Sequence, residues 1–181
     1  ETVIKEYILD DERRESLEKT IRNIQDGNNI LITGPPGCGK TAFMAYAAYV
    51  LLSRGYNLGI ILEGASTILD NHIVEGVILL YDDLPRMNPQ ALRSIVKNNI
   101  RNIIATARSE ELIWLKRILG MDIRDAFVEV RISGMSKAHL REMLLKYAER
   151  EAIKIEDPEA IEIVVEKAEG LPVYILSLIH I

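Results

Sequence analysis

Short apolar runs alternate with stretches of helical periodicity along the first 133 residues. Residues 77–81 are apolar at every position, whereas residues 10–26 are charged and carry Leu17, Ile21 and Ile24 at helical spacing. Runs of the first kind are typical of buried strands, and stretches of the second kind are typical of amphipathic helices. The pattern predicts five strands, at residues 30–32, 58–62, 77–81, 102–107 and 127–132.

Further helices are predicted between these strands, at residues 42–52, 89–100 and 109–119. Asn88 is expected to cap one of them with Pro89 at the first helical position, and Ser109 is expected to cap the next. Strands that alternate with helices imply right-handed crossovers and a parallel sheet covered on both faces. We therefore predict an α/β fold in which two helical layers enclose a parallel five-stranded sheet.

The pattern changes to helices alone after Ser133. Ser136, Asp157 and Pro172 stand where three successive helices would begin. Because no strand lies between these helices, they indicate a small helical subdomain, with a boundary near Ser133 and Gly134. We predict two domains, an αβα domain at residues 1–133 and a helical subdomain at residues 134–181.

Composition and charge narrow the class of protein. Of the 181 residues, 48% are hydrophobic and 27% are charged, as in ordinary soluble domains. The formal net charge of −5 argues against a nucleic-acid-binding surface spread over this chain. A single cysteine excludes an internal disulfide and favours a reducing compartment.

No apolar run reaches the ~18–20 residues that cross a bilayer, and the charged N-terminus lacks the apolar region of a signal peptide. We expect a cytoplasmic protein without a membrane partner. The chain begins at Glu1 and stops in the apolar stretch 174–181, so we also expect a piece of a longer protein with a truncated helical subdomain.

The residues between the first strand and the helix that follows it match a phosphate-binding loop. Residues 34–41 fit G-x-x-x-x-G-K-[ST], and the flanking strand and helix disfavour the alternative of a chance glycine-rich turn. Glycines let backbone N–H groups approach phosphates, and the N-terminus of the next helix attracts an anion. Lys40 is expected to reach the β- and γ-phosphates, and the Thr41 hydroxyl is expected to bind Mg²⁺. The predicted nucleotide contacts are Gly34, Pro35, Pro36, Gly37, Cys38, Gly39, Lys40, Thr41 and Ala42.

Two carboxylates, Asp82 and Asp83, end the third strand. Beside a phosphate-binding loop, Asp82 can orient Mg²⁺ through its water shell, since Mg²⁺ keeps several waters. Asp83 can position or deprotonate the water that attacks the γ-phosphate. The alternative interpretation is an exposed turn in which one aspartate caps the next segment.

The fourth strand ends in Thr106, Ala107 and Arg108 and should lie beside the first and third strands. Thr106 could donate a hydrogen bond to the attacking water or the γ-phosphate, and Arg108 could pair with the γ-phosphate through two hydrogen bonds. Taken alone, Thr106 would be an ordinary strand residue and Arg108 a solvated loop residue.

These motifs together resemble P-loop ATPases of the AAA+ and STAND group. The loop Gly-Pro-Pro-Gly-Cys-Gly-Lys-Thr is similar to the AAA+ Walker A loop, and residues 79–83 resemble a Walker B strand with the Asp-Asp ending of STAND (NB-ARC-like) proteins. Residues 105–108 resemble sensor 1, and residues 170–172 resemble the Gly-x-Pro motif of the STAND lid. The resemblance implies a P-loop NTPase fold that binds ATP or ADP with Mg²⁺.

The resemblance also implies two contacts with the adenine base. Pro172 matches the lid proline that lies near the base, and Ile8 lies in the segment before the first helix that contacts the base in the family. The chain departs from the family at two points. Lys40 and Asp83 are only 43 residues apart, and residues 172–181 contain no sensor-2 arginine.

Other residues have simpler interpretations. Arg117 and Arg124 lie where AAA+ proteins carry an arginine finger, although each is better explained as a surface residue. Cys38 is interpreted as a small filler residue with no catalytic part; the alternative is a thiol whose pKa the helix N–H groups lower. Arg13 and Arg14 are interpreted as part of a solvated, mixed-charge helix face.

We predict an ATP-binding and hydrolysing module whose nucleotide state moves the helical lid to drive assembly or remodelling of a partner. One alternative is an ADP/ATP switch with negligible hydrolysis, which the missing sensor-2 arginine favours. Another is a P-loop small-molecule kinase, although helices placed after the fifth strand fit an ATPase lid better. A homo-oligomer is compatible with this reading, and a protein or DNA partner would bind through regions outside this segment.

Overall fold

The computed structural model describes residue 7 and residues 9–61, 76–155 and 157–179. Apolar and helix-forming segments fold largely where the sequence pattern places them. The strands are β1 (Ile30–Gly34), β2 (Asn57–Ile60), β3 (Val77–Tyr81), β4 (Ile103–Arg108) and β5 (Val128–Arg131). The α-helices are α1 (Asp11–Gln25), α2 (Lys40–Ser53), α3 (Pro89–Lys97), α4 (Leu112–Leu119), α5 (Lys137–Arg150), α6 (Pro158–Lys167) and α7 (Pro172–Ile179).

The five strands form one parallel sheet in the order β2-β3-β4-β1-β5. In its centre, Ile32 of β1 pairs with Thr106 of β4, and Tyr81 of β3 pairs with Ala105 of β4. The predicted α/β fold is confirmed, and the strand ends shift by at most two residues within the described part of the chain. The order places β1 and β3 on either side of β4, so the segments that follow these three strands meet at one edge of the sheet.

The sheet separates two apolar clusters. Residues of α1 and α2 pack on one face of the sheet, with Phe43, Ala47 and Leu51 inaccessible to solvent. Residues of α3 and α4 pack on the other face around Leu92, Ile95 and Leu115. Burial on both faces explains why β1 and most of β4 are apolar at nearly every position.

The start of α4 differs from the prediction. Ser109 does not cap this helix; it begins a short 3₁₀ turn, Ser109–Glu111, and α4 starts only at Leu112. The Glu111 side chain accepts a hydrogen bond from the backbone N–H of Arg108 at 2.9 Å. A carboxylate therefore binds a free backbone donor before the helix, in the manner of the third residue of a capping box.

Helices α5, α6 and α7 enclose a third apolar cluster, built on Met135, Leu140, Leu144, Val165, Ala168 and Ile175. Ser136 caps α5 by accepting from the backbone N–H of His139, and Asp157 caps α6 by accepting from that of Glu159. The division into domains 1–133 and 134–181 stays a prediction. None of the helices in the described residues combines the length and the apolar character that a bilayer crossing needs.

Candidate functional site

The predicted site residues converge at the edge of the sheet where β1, β3 and β4 end. The loop 35–39 joins β1 to α2, Asp82 and Asp83 follow β3, and Arg108 is the last residue of β4. Carboxyl ends of parallel strands are the usual position of ligand sites in α/β sheets. The topology thus brings together motifs that lie up to 74 residues apart in sequence, from Gly34 to Arg108.

The loop itself is held by its own lysine and by a distant helix. The Lys40 ammonium donates to the carbonyl oxygens of Gly34 at 3.1 Å and Pro35 at 2.8 Å. Gly37 has a φ of +77°, and the backbone N–H of Val173 in α7 donates to its carbonyl at 3.4 Å. A Cβ atom on Gly37 would lie 2.4 Å from Cγ1 of Val173, so any other residue there would require the Val173 side chain to shift.

Two hydroxyl groups converge on the Asp82 carboxylate. Thr41 Oγ1 donates to it at 3.0–3.1 Å, and Thr106 Oγ1 donates at 2.6 Å. Thr106 Oγ1 in turn accepts from the backbone N–H of Asp83 at 2.8 Å. The hydroxyl proton of Thr106 therefore goes to Asp82, and the predicted bond from Thr106 to water or phosphate would have to replace that contact.

Asp83 has an unusual backbone and a cationic partner. Its φ of 62° and ψ of 63° lie in the left-handed region, which costs a residue with a side chain about 1–3 kcal/mol. Its Oδ2 lies 2.8 Å from Nε of Arg86, in the 3₁₀ turn Leu84–Arg86. The predicted general base is thus engaged by a guanidinium that the sequence analysis did not single out.

Arg108 and Arg124 each lie beside an acidic residue, whereas Arg117 is exposed on α4. Arg108 is about half exposed, and its Nε lies 4.0 Å from Oε1 of Glu111. Arg124 donates to both carboxylate oxygens of Asp122, at 2.9 and 2.7 Å. These hydrogen bonds hold the pKa of Asp122 well below its usual range and raise the pKa of Arg124. Roles for Arg108, Arg117 and Arg124 at the phosphates stay predictions.

Arg13 is buried, with 1% of its surface exposed, so its interpretation as a solvated residue was wrong. Its guanidinium pairs with Asp10 and donates to the carbonyl oxygens of Cys38 and Ser133, both at 3.0 Å. The neighbouring Glu12 accepts from the Ser133 hydroxyl at 2.6 Å and from its backbone N–H at 3.2 Å. Arg13 therefore links α1, the P-loop and the segment after β5.

Helical periodicity could have identified Arg13. It lies four residues before Leu17 and eight before Ile21, on the apolar stripe that α1 turns toward the sheet. Its neighbour Arg14 lies off that stripe and is exposed. An arginine on a buried helical stripe needs partners, and main-chain carbonyls supply them here.

Of the two segments expected near the base, one contacts the P-loop and the described neighbour of the other packs on α2. Pro172 begins α7 and is buried, one residue before the contact of Val173 with Gly37. Ile8 lies outside the described residues. Its neighbour Tyr7 stacks on Tyr46 of α2 with ring centroids 4.9 Å apart, and burial raises the pKa of Tyr7 to about 12.

Cys38 is fully buried within the P-loop, as expected for a small filler residue. Burial raises the pKa of its thiol, and this effect outweighs the opposing influence of Lys40 and Arg13. Backbone N–H groups do act to lower this pKa, but removal from water disfavours the thiolate more strongly, so the net shift is upward. The neutral thiol packs in the loop as a small apolar group.

Comparison with protein families agrees with this arrangement. The family model described as Novel STAND NTPase 3 matches residues 13–150, which include the P-loop and the segments after β3 and β4. The chain belongs to this STAND NTPase family. No curated protein matches its sequence.

Solved structures of AAA+ type share the fold of this STAND NTPase. The RuvB Holliday junction branch migration motor of Thermotoga maritima superposes with a TM-score of 0.69 at 20% identity, and 96% of this chain covers 61% of that one. AMPPCP-bound DnaA from Aquifex aeolicus gives 0.62 at 16% identity, with 98% and 64% of the two chains covered. Domain III of Thermotoga maritima DnaA gives 0.67 at 13% identity, with 97% and 85% covered. The chain thus spans less than two thirds of RuvB and of the Aquifex DnaA.

Proposed function

We propose that this STAND NTPase binds ATP with Mg²⁺ at the P-loop and hydrolyses it to ADP and phosphate. The observation that carries the proposal is the convergence of Thr41, Thr106 and Asp82 beside the P-loop. A chance glycine-rich turn gives no reason for a carboxylate from β3 to accept from hydroxyls of two other elements. A metal and phosphate site does, because it requires oxygen ligands fixed next to the anion-binding loop.

The side chains fit a magnesium ion. Thr41 Oγ1 and the Asp82 carboxylate are hard oxygen donors that already lie within 3.1 Å of each other. Mg²⁺ prefers oxygen ligands and is held by few protein groups together with substrate phosphates. Bound there, the ion would neutralise charge on the β- and γ-phosphate oxygens.

The residues of the chain would divide the remaining work. Lys40 would leave the carbonyls of Gly34 and Pro35 and bind the β- and γ-phosphates. Asp83 would accept a proton from water as the water oxygen bonds to the γ-phosphorus and the bond to the ADP oxygen breaks. Arg108 would leave Glu111 to stabilise charge on the γ-phosphate oxygens.

Nucleotide state would be transmitted through α7. Pro172 and Ile8 would contact the adenine, and Val173 already contacts the loop that would bind the phosphates. The helices of residues 134–181 would then act as a lid whose position differs between ATP and ADP. The movement would drive assembly or remodelling of a partner, in a homo-oligomer or on DNA. A DnaA with this fold has been solved bound to single-stranded DNA.

Two variants test the proposed site. Lys40→Ala removes a charge-assisted bond to phosphate, so ATP affinity should fall about 10- to 100-fold. Asp83→Asn keeps the shape but not the base, so binding should persist while turnover falls at least about 100-fold. Calorimetric titration with ATP and a phosphate-release assay measure the two effects. Normal turnover in Asp83→Asn would contradict the assignment of the base.

A second function is an ADP/ATP switch with negligible hydrolysis. The contact between Asp83 and Arg86 favours it, since a base engaged by a guanidinium is poorly placed to activate water. A switch of this kind would purify with ADP bound and show almost no steady-state release of phosphate. Identifying the co-purifying nucleotide and measuring turnover separates the two functions.

A further inference from the structure

The turn after β3 holds the predicted general base in an ion pair. We propose that Arg86 is a positioning residue that restrains Asp83 and keeps the basal rate of ATP hydrolysis low. The inference rests on the proposed function, because it assigns a regulator to the same site. It adds a residue that lies outside the Walker A, Walker B and sensor motifs.

The local backbone builds this ion pair. Leu84–Arg86 form a 3₁₀ turn in which the backbone N–H of Arg86 donates to the Asp83 carbonyl at 2.9 Å. Pro85 favours the turn because its ring fixes φ near the helical value. Residues three apart in such a turn lie on the same side, so Nε of Arg86 reaches Oδ2 of Asp83 at 2.8 Å.

The main chain of Asp83 is fixed independently of its side chain. The N–H of Asp83 donates to Thr106 Oγ1, and this hydroxyl donates in turn to Asp82. Asp83 has a φ of 62° and directly precedes the 3₁₀ turn, which fixes its backbone. The carboxylate can therefore change direction only through its own side-chain rotation. Binding to Arg86 selects one of these directions.

The chemistry explains why this restraint slows hydrolysis. The contact with Arg86 sets the direction of both oxygens of the Asp83 carboxylate, so the ion pair must open before the carboxylate can turn toward the attacking water. Once the pair opens, Asp83 takes the proton as the water oxygen bonds to the γ-phosphorus and ADP leaves with the electron pair of the broken bond. ATP binding itself does not require Asp83, so Arg86 should affect kcat rather than affinity.

The size of the effect follows from exposure. The Arg86 and Asp83 side chains are 63% and 30% exposed, so water screens their attraction. An exposed ion pair of this kind is worth about 0.2–1 kcal/mol, which corresponds to a change in rate of about 1.4- to fivefold.

Steady-state phosphate release with saturating ATP and Mg²⁺ tests the inference on the full 181-residue chain. Arg86→Gln should raise kcat about 1.4- to fivefold with KM unchanged. Arg86→Lys keeps the charge and should stay near the original rate. Arg101→Gln removes an exposed arginine from the loop after α3 and is the matched control, with no expected change. Thermal melting of each variant verifies that the fold is intact.

The double variant Asp83→Asn with Arg86→Gln identifies the source of the gain. The kcat of the double variant should be no higher than that of Asp83→Asn alone, since Asp83 is the group that Arg86 restrains. A kcat in Arg86→Gln that falls or stays constant would overturn the inference, as would an increase that survives in the double variant. Failure of the proposed function would be recognised differently, because ATP binding would then not depend on Lys40.

Discussion

Thr106 connects the two aspartates that follow β3. Its hydroxyl donates to Asp82 and accepts from the N–H of Asp83, and its side chain is almost fully buried. One hydroxyl thereby orients the carboxylate expected to bind metal and stabilises the left-handed backbone of the expected base. The geometry gives Thr106 a positioning role whether or not it also reaches the phosphate.

Replacing Thr106 by valine removes this hydroxyl and leaves the partly buried N–H group of Asp83 without its partner. We expect Thr106→Val to lower the free energy of unfolding by about 1–3 kcal/mol and to reduce turnover. Thr106→Ser keeps the hydroxyl and should retain most of both. Urea unfolding and phosphate release measure the two effects, and equal losses in both variants would show that the methyl group matters instead.

The P-loop and α7 form a contact between elements that lie far apart in sequence. Gly37 combines a left-handed φ with a close approach to Val173, so two separate penalties oppose any side chain there. Gly55 at the end of α2 has a similar φ of +88°, but a Cβ on it would meet nothing within 4 Å. Substitutions at Gly55 therefore report backbone strain alone, whereas substitutions at Gly37 report backbone strain together with the contact with α7.

Gly55→Ala should therefore cost only the strain, about 1–2 kcal/mol of unfolding free energy. Gly37→Ala should cost more, because the new methyl group also pushes on Val173, and Val173→Ala in the same chain should recover the difference. Chemical denaturation of the three variants checks the ranking. Equal losses of unfolding free energy in Gly37→Ala and Gly55→Ala would mean that the contact between the P-loop and Val173 does not oppose a side chain at position 37.

Elements of this fold follow from local sequence, but their contacts do not. Each strand is visible as an apolar run. Both ends of β3 are predicted correctly, because Gly76 directly precedes its apolar run and Asp82 directly follows it. The start of α4 was misplaced because Ser109 looks like a cap, whereas Glu111 supplies the capping carboxylate. The pairing of Asp83 with Arg86 depends on a left-handed residue and a 3₁₀ turn, which hydrophobic periodicity does not reveal.

Arg13 acts at the scale of the whole molecule, since it contacts the P-loop and the segment that leads to α5. Its partner Asp10 is only 11% exposed, so loss of the arginine leaves a poorly solvated carboxylate and two main-chain carbonyls without donors. The cost of breaking a buried pair of this kind is about 3–5 kcal/mol. Such a cost is a large fraction of the stability of an ordinary domain.

We expect Arg13→Gln to lower the unfolding free energy by about 3–5 kcal/mol and to weaken ATP binding, because the Cys38 carbonyl is released. Arg14→Gln, on the exposed side of the same helix turn, should stay within about 0.5 kcal/mol of the original chain. Thermal unfolding with and without ATP measures both variants. If Arg13→Gln and Arg14→Gln both lower the free energy of unfolding by a similar small amount, Arg13 does not link these segments.

The contact between Gly134 and Gly170 has a consequence for sequence divergence within the family. The N–H of Met135 donates to the Gly170 carbonyl at 2.7 Å, and a Cβ on Gly134 would lie 2.8 Å from that oxygen. Two main chains meet there with no side chain between them. The packing residues of α5, α6 and α7 can therefore change widely without altering this contact, provided that both positions stay free of side chains. In an alignment of relatives, the two glycines should be retained or lost together, even where the helices around them share no recognisable similarity.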